Sequence, residues 1–310
     1  MSRPVLSIVV PTYNRRRILS RTLPTLLRQE GAGAEYEVIV VVDGSTDETL
    51  SMLARPEWGS RLRVIAQTNR GQGTARNRGA AQARGEILLF LDDDMIAAPD
   101  LVAIHLEEHG SSRKRVVLGA MGLAGDVRRS FLKRGVEAWG EEFAERVSTR
   151  GYRFRFDDWH SGHASISRDL FLSLGGFDET FVAYGNEDYD LGLRLIQRGI
   201  EMRFAARAVA LQIYDKDFFA WLRDMRSVGK ADVALAEKHP AIAADLRLSR
   251  REAHPLKRLA RWSGSSALDP FAPAWAAVAV ALLLTERLAL SGEVLSHAQS
   301  LLGERAYWRG

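Results

Sequence analysis

The sequence contains no cysteine. That excludes a disulfide framework, a thiolate nucleophile and a thiolate metal site, and it fits a reducing, cytoplasmic setting. Long apolar runs are absent as well. The longest, Ala274–Thr285, has 12 residues between Pro273 and Glu286-Arg287, against about 20 for a helix that crosses a bilayer. Leu6–Val10 is too short for the apolar core of a leader peptide, and no small-residue cleavage site follows it. Neither sign of charge dominates: 43 Lys and Arg face 39 Asp and Glu, and over the first 240 residues the basic ones are dispersed. Nucleic-acid binding needs basic residues clustered with aromatics, whereas the seven tryptophans here are scattered, so no nucleic-acid partner is expected. There is no internal repeat and no low-complexity tract. What is left, 310 residues of which 46% are hydrophobic, suffices for one large α/β domain with an appendage or for two modest domains.

The first hundred residues repeat one pattern. Leu6–Val10, Val38–Val42, Arg63–Ala66 and Ile87–Leu91 are continuous apolar runs rich in β-branched residues, as expected of strands buried on both faces of a parallel sheet. Helical segments fill the gaps. Leu19, Leu23, Leu26 and Leu27 share a helical face, Thr46–Leu53 opens with cap chemistry, Gly71–Arg84 is rich in Ala and Arg, and Pro99–His109 opens with proline. Strands alternating with helices predict a doubly wound, mostly parallel α/β sheet. Ligands of such sheets bind beyond the carboxyl ends of the strands. There the sequence places Thr12-Tyr13-Asn14, Asp43 and Asp92-Asp93-Asp94.

Three adjacent carboxylates repel one another unless a cation neutralises them, so Asp92–Asp94 reads either as an oxygen-ligand site for a divalent cation or as a solvated acidic turn. A diphosphate leaving group needs such a cation as Lewis acid. Glu187-Asp188-Tyr189-Asp190 opens a helix whose dipole favours ionised carboxylates; one of these can take a proton from a sugar hydroxyl, or all can be ordinary helix-start charge. Asp43 suits either the N–H of a nucleotide base or a helix cap shared with Ser45. Arg76 and Asn77 fit a phosphate contact or a solvated helix face. The stretch Trp159-His160-Ser161-Gly162-His163-Ala164-Ser165 is small and polar, as a pocket lining requires. His163 in it is either a substrate contact or a structural residue.

In this order and spacing these motifs resemble the inverting glycosyltransferases of family 2, with the GT-A fold. The resemblance runs from about Leu6 to Gly229. It is carried by Val9-Val10-Pro11-Thr12-Tyr13-Asn14, Val41-Val42-Asp43-Gly44-Ser45-Thr46-Asp47, Ala75-Arg76-Asn77, Leu91-Asp92-Asp93-Asp94, Gly175-Gly176-Phe177-Asp178-Glu179 and Gly185-Asn186-Glu187-Asp188. It implies a nucleotide-sugar donor and an acceptor that is a glycan, a lipid-linked molecule or a small molecule. Thr12 and Tyr13 would lie against the nucleotide, Asp43 on its base, Arg76 near its phosphates and Asp93 near the ribose. Asp92 and Asp94 would be the outer members of the Asp-x-Asp motif that binds Mn2+ or Mg2+, with Asp94 the chief ligand. Asp188 falls on the catalytic base and Glu187 beside it, with His163 and Trp159 at the acceptor or sugar pocket. The implied reaction is one in-line displacement with inversion.

Three departures from the family pattern stand out. Val42-Asp43 replaces an acidic pair, His163 stands where Asn is frequent, and Gln212-Ile213-Tyr214 occupies the neighbourhood of a metal-binding His. A sugar-nucleotide nucleotidyltransferase would carry its glycine loop directly after the first strand, where Pro11-Thr12-Tyr13-Asn14 stands here. A nicotinamide dehydrogenase would need a third glycine at Arg76. A non-catalytic binding module of the same fold would not need both acidic clusters.

The expected organisation is a GT-A domain over residues 1–238, with a nucleotide-binding half to about 110 and an acceptor half beyond it. A helical extension occupies 239–310. Its segment Arg247–Arg261 holds Arg247, Arg250, Arg251, Lys257, Arg258 and Arg261 against Glu252 alone. With the apolar helix that follows, it reads either as a peripheral contact with the inner membrane face or as a segment packed on the catalytic domain.

Overall fold

The apolar runs do become strands, and in a computed structural model they are joined by helices as the pattern requires. The described residues are 4–31, 36–125, 131–181, 185–249, 254–265, 271–287 and 293–310. The chain alternates β1 (Leu6–Thr12), α1 (Arg16–Leu27), β2 (Tyr36–Asp43), α2 (Thr49–Leu53), β3 (Leu62–Gln67), α3 (Gln72–Gln82) and β4 (Ile87–Leu91). Then come β5 (Met95–Ala97), α4 (Leu101–His109), β6 (Arg115–Leu123), α5 (Phe131–Ser148), β7 (His163–Ser167), α6 (Arg168–Ser173), α7 (Glu187–Gln197) and β8 (Glu201–Gln212). Helices α8 (Phe218–Lys238), α9 (Pro255–Ser265), α10 (Ala272–Arg287) and α11 (Glu293–Trp308) follow.

The strands form one mixed sheet in the order β3-β2-β1-β4-β7-β6-β8-β5. The half read from the sequence, β3-β2-β1-β4, is parallel throughout. The other half is mixed, because β7 runs antiparallel to both β4 and β6, and β5 antiparallel to β8. Side chains alternate across β1. Leu6, Ile8 and Val10 pack with Leu19, Leu23 and Leu26 of α1 and Leu101 of α4. Val9 faces the opposite layer, with Ala75 and Ala80 of α3, Phe171 of α6 and Leu191 of α7. Helix α1 thus covers one face and α3 the other, so the chain reverses its winding between β1 and β4. That crevice is where a doubly wound sheet binds its ligand.

Helix α3 can lie close to the sheet because it turns Gly79 toward it: a Cβ at Gly79 would run into Val9 Cγ1 and come within 3.1 Å of Val41 Cγ2. Gly79→Ala is therefore expected to destabilise the fold by about 1–3 kcal/mol through overpacking. Urea unfolding measures it, and an unchanged midpoint would contradict the close approach.

Residues 1–124, 139–182 and 187–214 make one compact unit; 125–138, 183–186 and 215–310 make a second. The C-terminal part of the second unit starts at Asp215, so it takes in α8 as well as the helices beyond residue 239. The reason is that α8 packs intimately with the C-terminal helices: a Cβ at Gly229 would collide with the Tyr307 carbonyl, and one at Gly303 with the Trp221 ring. The predicted short apolar helix is α10, and no helix among the described residues is long and apolar enough to cross a membrane.

Candidate active site

The crevice between β1 and β4 is closed by a side-chain bond: Thr12 Oγ1 donates to Asp93 Oδ2 at 2.6 Å. Beside it Asn14 takes a left-handed backbone (φ 54°). Its side-chain oxygen accepts the N–H groups of Thr46 (2.7 Å) and Asp47 (3.2 Å). The turns after β1 and β2 are thereby tied together, with the Tyr13 side chain left 48% exposed between them. Asp43, at the end of β2, accepts from Gln67 Nε2 (2.8 Å) and from the backbone N–H groups of Arg70 (2.8 Å) and Gly71 (2.9 Å). It shapes the loop leading into α3, and an ionised carboxylate with about four lone-pair sites can still accept one further donor.

Asp92, Asp93 and Asp94 leave β4 in three directions. Asp92 Oδ1 receives Arg76 Nη2 at 2.8 Å. Asp93 lies between Thr12 and Arg15, whose Nε is 3.5 Å away. Asp94 Oδ2 receives Arg15 Nη2 (2.8 Å) and Gln212 Nε2 (3.2 Å). Thr22 Oγ1 holds the Asp93 carbonyl at 2.7 Å, and the Ile213 N–H donates to the Asp94 carbonyl at 2.8 Å, which fixes the turn itself. Gln212 thus reaches Asp94 from the end of β8.

Arg76 is not on a solvated helix face. It is 2% exposed and bridges the two acidic clusters, with Asp92 on one side and Glu187 Oε1 at 3.2 Å on the other. Burial disfavours its charge, but Asp92, Asp188 and Glu187 outweigh that and keep it protonated. Five carboxylates, Asp92–Asp94 with Glu187 and Asp188, face two guanidinium groups, those of Arg15 and Arg76. Negative charge is in excess, and the titration behaviour follows. Burial pushes Asp93 up to about 6 against the pull of Arg15. Burial, then the charges of Asp92 and Asp93, push Asp94 up to about 7. Burial, then the Asp188 charge, push Glu187 up to about 7. Asp188 is raised mainly by burial, with Arg76 and the adjacent Ser161 pulling the other way.

Two carboxylate oxygens here, Asp94 Oδ1 and Asp188 Oδ1, are buried without a hydrogen-bond partner. Such orphans are expensive unless a ligand completes them. An orphaned oxygen in a cluster with excess negative charge fits an oxygen-ligated divalent cation at Asp94 and Asp92. Among the described residues no group of three or more His, Cys, Asp or Glu is arranged to hold a metal by itself. Two protein carboxylates plus oxygens from a bound phosphate match that donor set.

The segment before β7 enters the site through its first half only. Gly162 lies against Asp92, where a Cβ would stand 2.9 Å from Oδ2, and its carbonyl accepts the Asp92 N–H at 3.1 Å. Of the two readings of His163, the structure favours the structural one. Its ring is buried between His105 Nε2 (3.1 Å) and the Ala120 carbonyl (3.2 Å), and burial lowers its pKa to about 4. Trp159 is fully buried against the α7 side of the core, its indole N–H without a partner. Arg15 and Thr22 gave no signal in the sequence, and Gln212 stood out there only as replacing a histidine. Arg15 is one of three consecutive arginines, and nothing in the sequence says which of them turns inward.

A model of glycosyl transferase family 2 matches residues 7–171. The chain belongs to that family. A second model, described as the N-terminal domain of galactosyltransferase, matches residues 141–216. Among curated relatives, an uncharacterized glycosyltransferase of Bacillus subtilis, YfnE, is 31% identical over 66% of this chain and 64% of its own length. Validoxylamine A glucosyltransferase of Streptomyces hygroscopicus subsp. limoneus is 37% identical over 64% of this chain and 49% of its own length. The matched part is therefore about half to two thirds of those relatives. In fold, this family 2 chain is similar to the mannosyltransferase PcManGT from Pyrobaculum calidifontis, solved with GDP-Man and Mn2+. The TM-score is 0.61 at 20% identity, over all of this chain and 88% of the other. Staphylococcus aureus TarS 1-349 with UDP gives a TM-score of 0.52 at 18% identity, over 98% and 90%.

Proposed function

We propose that the chain transfers a sugar from a nucleoside-diphosphate sugar to an acceptor hydroxyl, with inversion at the anomeric carbon. The observation that carries this reading is Arg76, which joins the Asp92–Asp94 turn to the Glu187-Asp188 pair although it stands 111 positions from Glu187 in sequence. One acidic cluster suits the donor's diphosphate side and the other suits proton removal, and a single buried cation holds them in register. Tyr13 and Thr12 lie along the nucleotide, Asp43 takes the remaining donor from the base, and Asp93 faces the ribose. Asp94 and Asp92 hold a divalent cation, Mn2+ or Mg2+, which when bound supplies positive charge to the departing diphosphate. Asp188, with its unpartnered Oδ1, accepts the acceptor hydroxyl's proton while that oxygen attacks. Glu187, held by Arg76, lines the acceptor side. Calorimetric titration with UDP and GDP, with and without manganese, followed by hydrolysis of a panel of nucleotide sugars, tests the reading. Metal-dependent nucleotide binding and slow donor hydrolysis are expected. Binding of neither nucleotide, together with hydrolysis of none of the panel, overturns it.

The acceptor is a glycan, a small molecule or a lipid-linked molecule. For the last, we infer a peripheral contact of the second unit with an anionic membrane surface. Leu256, Trp262, Phe271 and Val280 are exposed, with Lys257 and Arg258 alongside on α9. The basic stretch is only partly available for such a contact. Arg247 and Arg261 both pair with Glu304, at 2.5 Å each, while Arg250, Arg251 and Glu252 lie outside the described residues. A surface lysine or arginine near an anionic leaflet contributes about 1 kcal/mol. The full chain is thus expected to sediment with anionic vesicles at low salt and to release as salt is raised. Equal binding to neutral vesicles, or none to anionic ones, removes the inference.

A further inference from the structure

Immediately before the Glu187-Asp188 pair the backbone makes an unusual turn. Gly185 has φ 118° and Asn186, a non-glycine residue, has φ 67°. Asparagine is among the few L-residues that tolerate the left-handed region, yet holding it there requires support. The turn lies on α8, where a Cβ at Gly185 would sit 3.5 Å from Val228 Cγ2 and 3.6 Å from Ala231 Cβ. The Asn186 side chain is anchored to the same helix, its Nδ2 donating to Asp232 Oδ1 at 2.7 Å. The other oxygen of Asp232 receives the Tyr307 hydroxyl in a short hydrogen bond.

Asp232 is 3% exposed, and both of these partners are neutral. A buried carboxyl oxygen left without a hydrogen bond is costly, so these two donors together hold the Asp232 side chain in place. Tyr307 is well held as a donor. Burial and the bond to Asp232 raise its phenol pKa, so it stays protonated. The Arg247 guanidinium lies 4.7 Å over its ring while itself pairing with Glu304. The close approach of Gly229 to the Tyr307 carbonyl fixes the register of α11 on α8.

We propose that Asp232 and Tyr307 are positioning residues for catalysis. The C-terminal helix α11, through Asp232, locks the left-handed turn at Asn186 and thereby sets how the chain enters α7 with Glu187 and Asp188. The proposal rests on the reading of Asp188 as base, and it assigns to the C-terminal segment a role in turnover rather than only in stability or membrane contact. A small error in the placement of a catalytic group has a large kinetic cost, about a hundredfold for 1 Å. The network therefore shows in kcat and not in donor binding.

The test uses the full chain with three variants. Tyr307→Phe removes one hydroxyl. Asn186→Gly removes the amide while keeping a residue at home in the left-handed region. Ala306→Gly loosens α11 beside the network without touching it. The first two are each expected to lower kcat about tenfold, with nucleotide-sugar affinity within twofold of wild type. Their double variant should be no slower than the worse single one, because both act through one link. Ala306→Gly should lower the thermal midpoint and leave kcat unchanged. Wild-type turnover in Asn186→Gly or in folded Tyr307→Phe overturns the proposal, as do multiplicative losses in the double variant. An equal loss of kcat in Ala306→Gly also overturns it, since loosening the helix would then be enough. Asp188→Asn in the same assay separates the two readings. If that variant keeps its turnover the base assignment fails; if it loses turnover while Tyr307→Phe does not, only the present proposal fails.

Discussion

Asp188→Asn is expected to lower the turnover number by roughly 10²- to 10⁴-fold, the range for loss of a general base. Nucleotide-sugar affinity should hardly change. The amide keeps the size and shape of the side chain beside Ser161 but cannot accept the acceptor's proton. Because only that step is removed, the loss belongs in kcat. The wild-type pH profile bears on the same residue. Burial raises Asp188 above the ordinary carboxylate value near 3.8, and a base works only when deprotonated. Activity should therefore climb with pH along a limb that lies above that value, and the limb should vanish in the residual activity of the variant. Turnover within a few-fold of wild type would remove Asp188 from the role.

The second large effect is expected at Asp94. Asp94→Ala should abolish transfer, weaken affinity for the nucleoside diphosphate, and eliminate the gain in affinity that manganese confers on the wild type. The circular dichroism spectrum should be retained. The fold tolerates the change because the carboxylate is a liability to it: buried, crowded by Asp92 and Asp93, and with one oxygen unpartnered. Relieving that repulsion should leave thermal stability unchanged or raise it, which distinguishes loss of a ligand from loss of structure. Full activity in Asp94→Ala, or full wild-type activity in excess chelator, would dissociate Asp94 from metal.

Much of the crevice at the carboxyl ends of β1, β2 and β4 could be read in advance because its information is local. A buried strand declares itself as an unbroken apolar run, and whatever polar residues follow it stand at the mouth of the sheet; Thr12, Asp43 and Asp92–Asp94 were legible for that reason. The second acidic cluster was legible only at Glu187-Asp188, where two acids begin a helix. What failed was anything decided by the partner rather than by the run. Strand β8 is exposed at Glu201, Arg203, Ala206 and Arg207 and buried at Met202, Ala205 and Ala208, so it carries no clean signal. β7 is short and composed of His163, Ala164, Ser165, Ile166 and Ser167. Its polarity looks like a pocket wall, but His163 and Ser165 find their partners on the histidines of α4 inside the core. His105 and His109 both reach Ser165 Oγ at 2.8 Å from α4. The inward turns of Arg15 and Gln212 were invisible for a related reason: a long polar side chain announces its chemistry but not its direction.

The antiparallel strand at the centre of the sheet also matters for synthesis. β4 is apolar along its whole length, Ile87–Leu91, and all five of its residues are buried. One flank is covered by β1, made earlier; the other is covered by β7, which begins at His163, 72 positions after Leu91. While the chain grows from its N-terminus, the parallel four-stranded half therefore stands with an unpaired, hydrophobic border along β4. Such a border pairs readily with a neighbouring chain. The nascent protein passes through a sticky stage that ends only when the ribosome has delivered β7. A fragment cut before that strand would retain the border permanently and would be expected to self-associate.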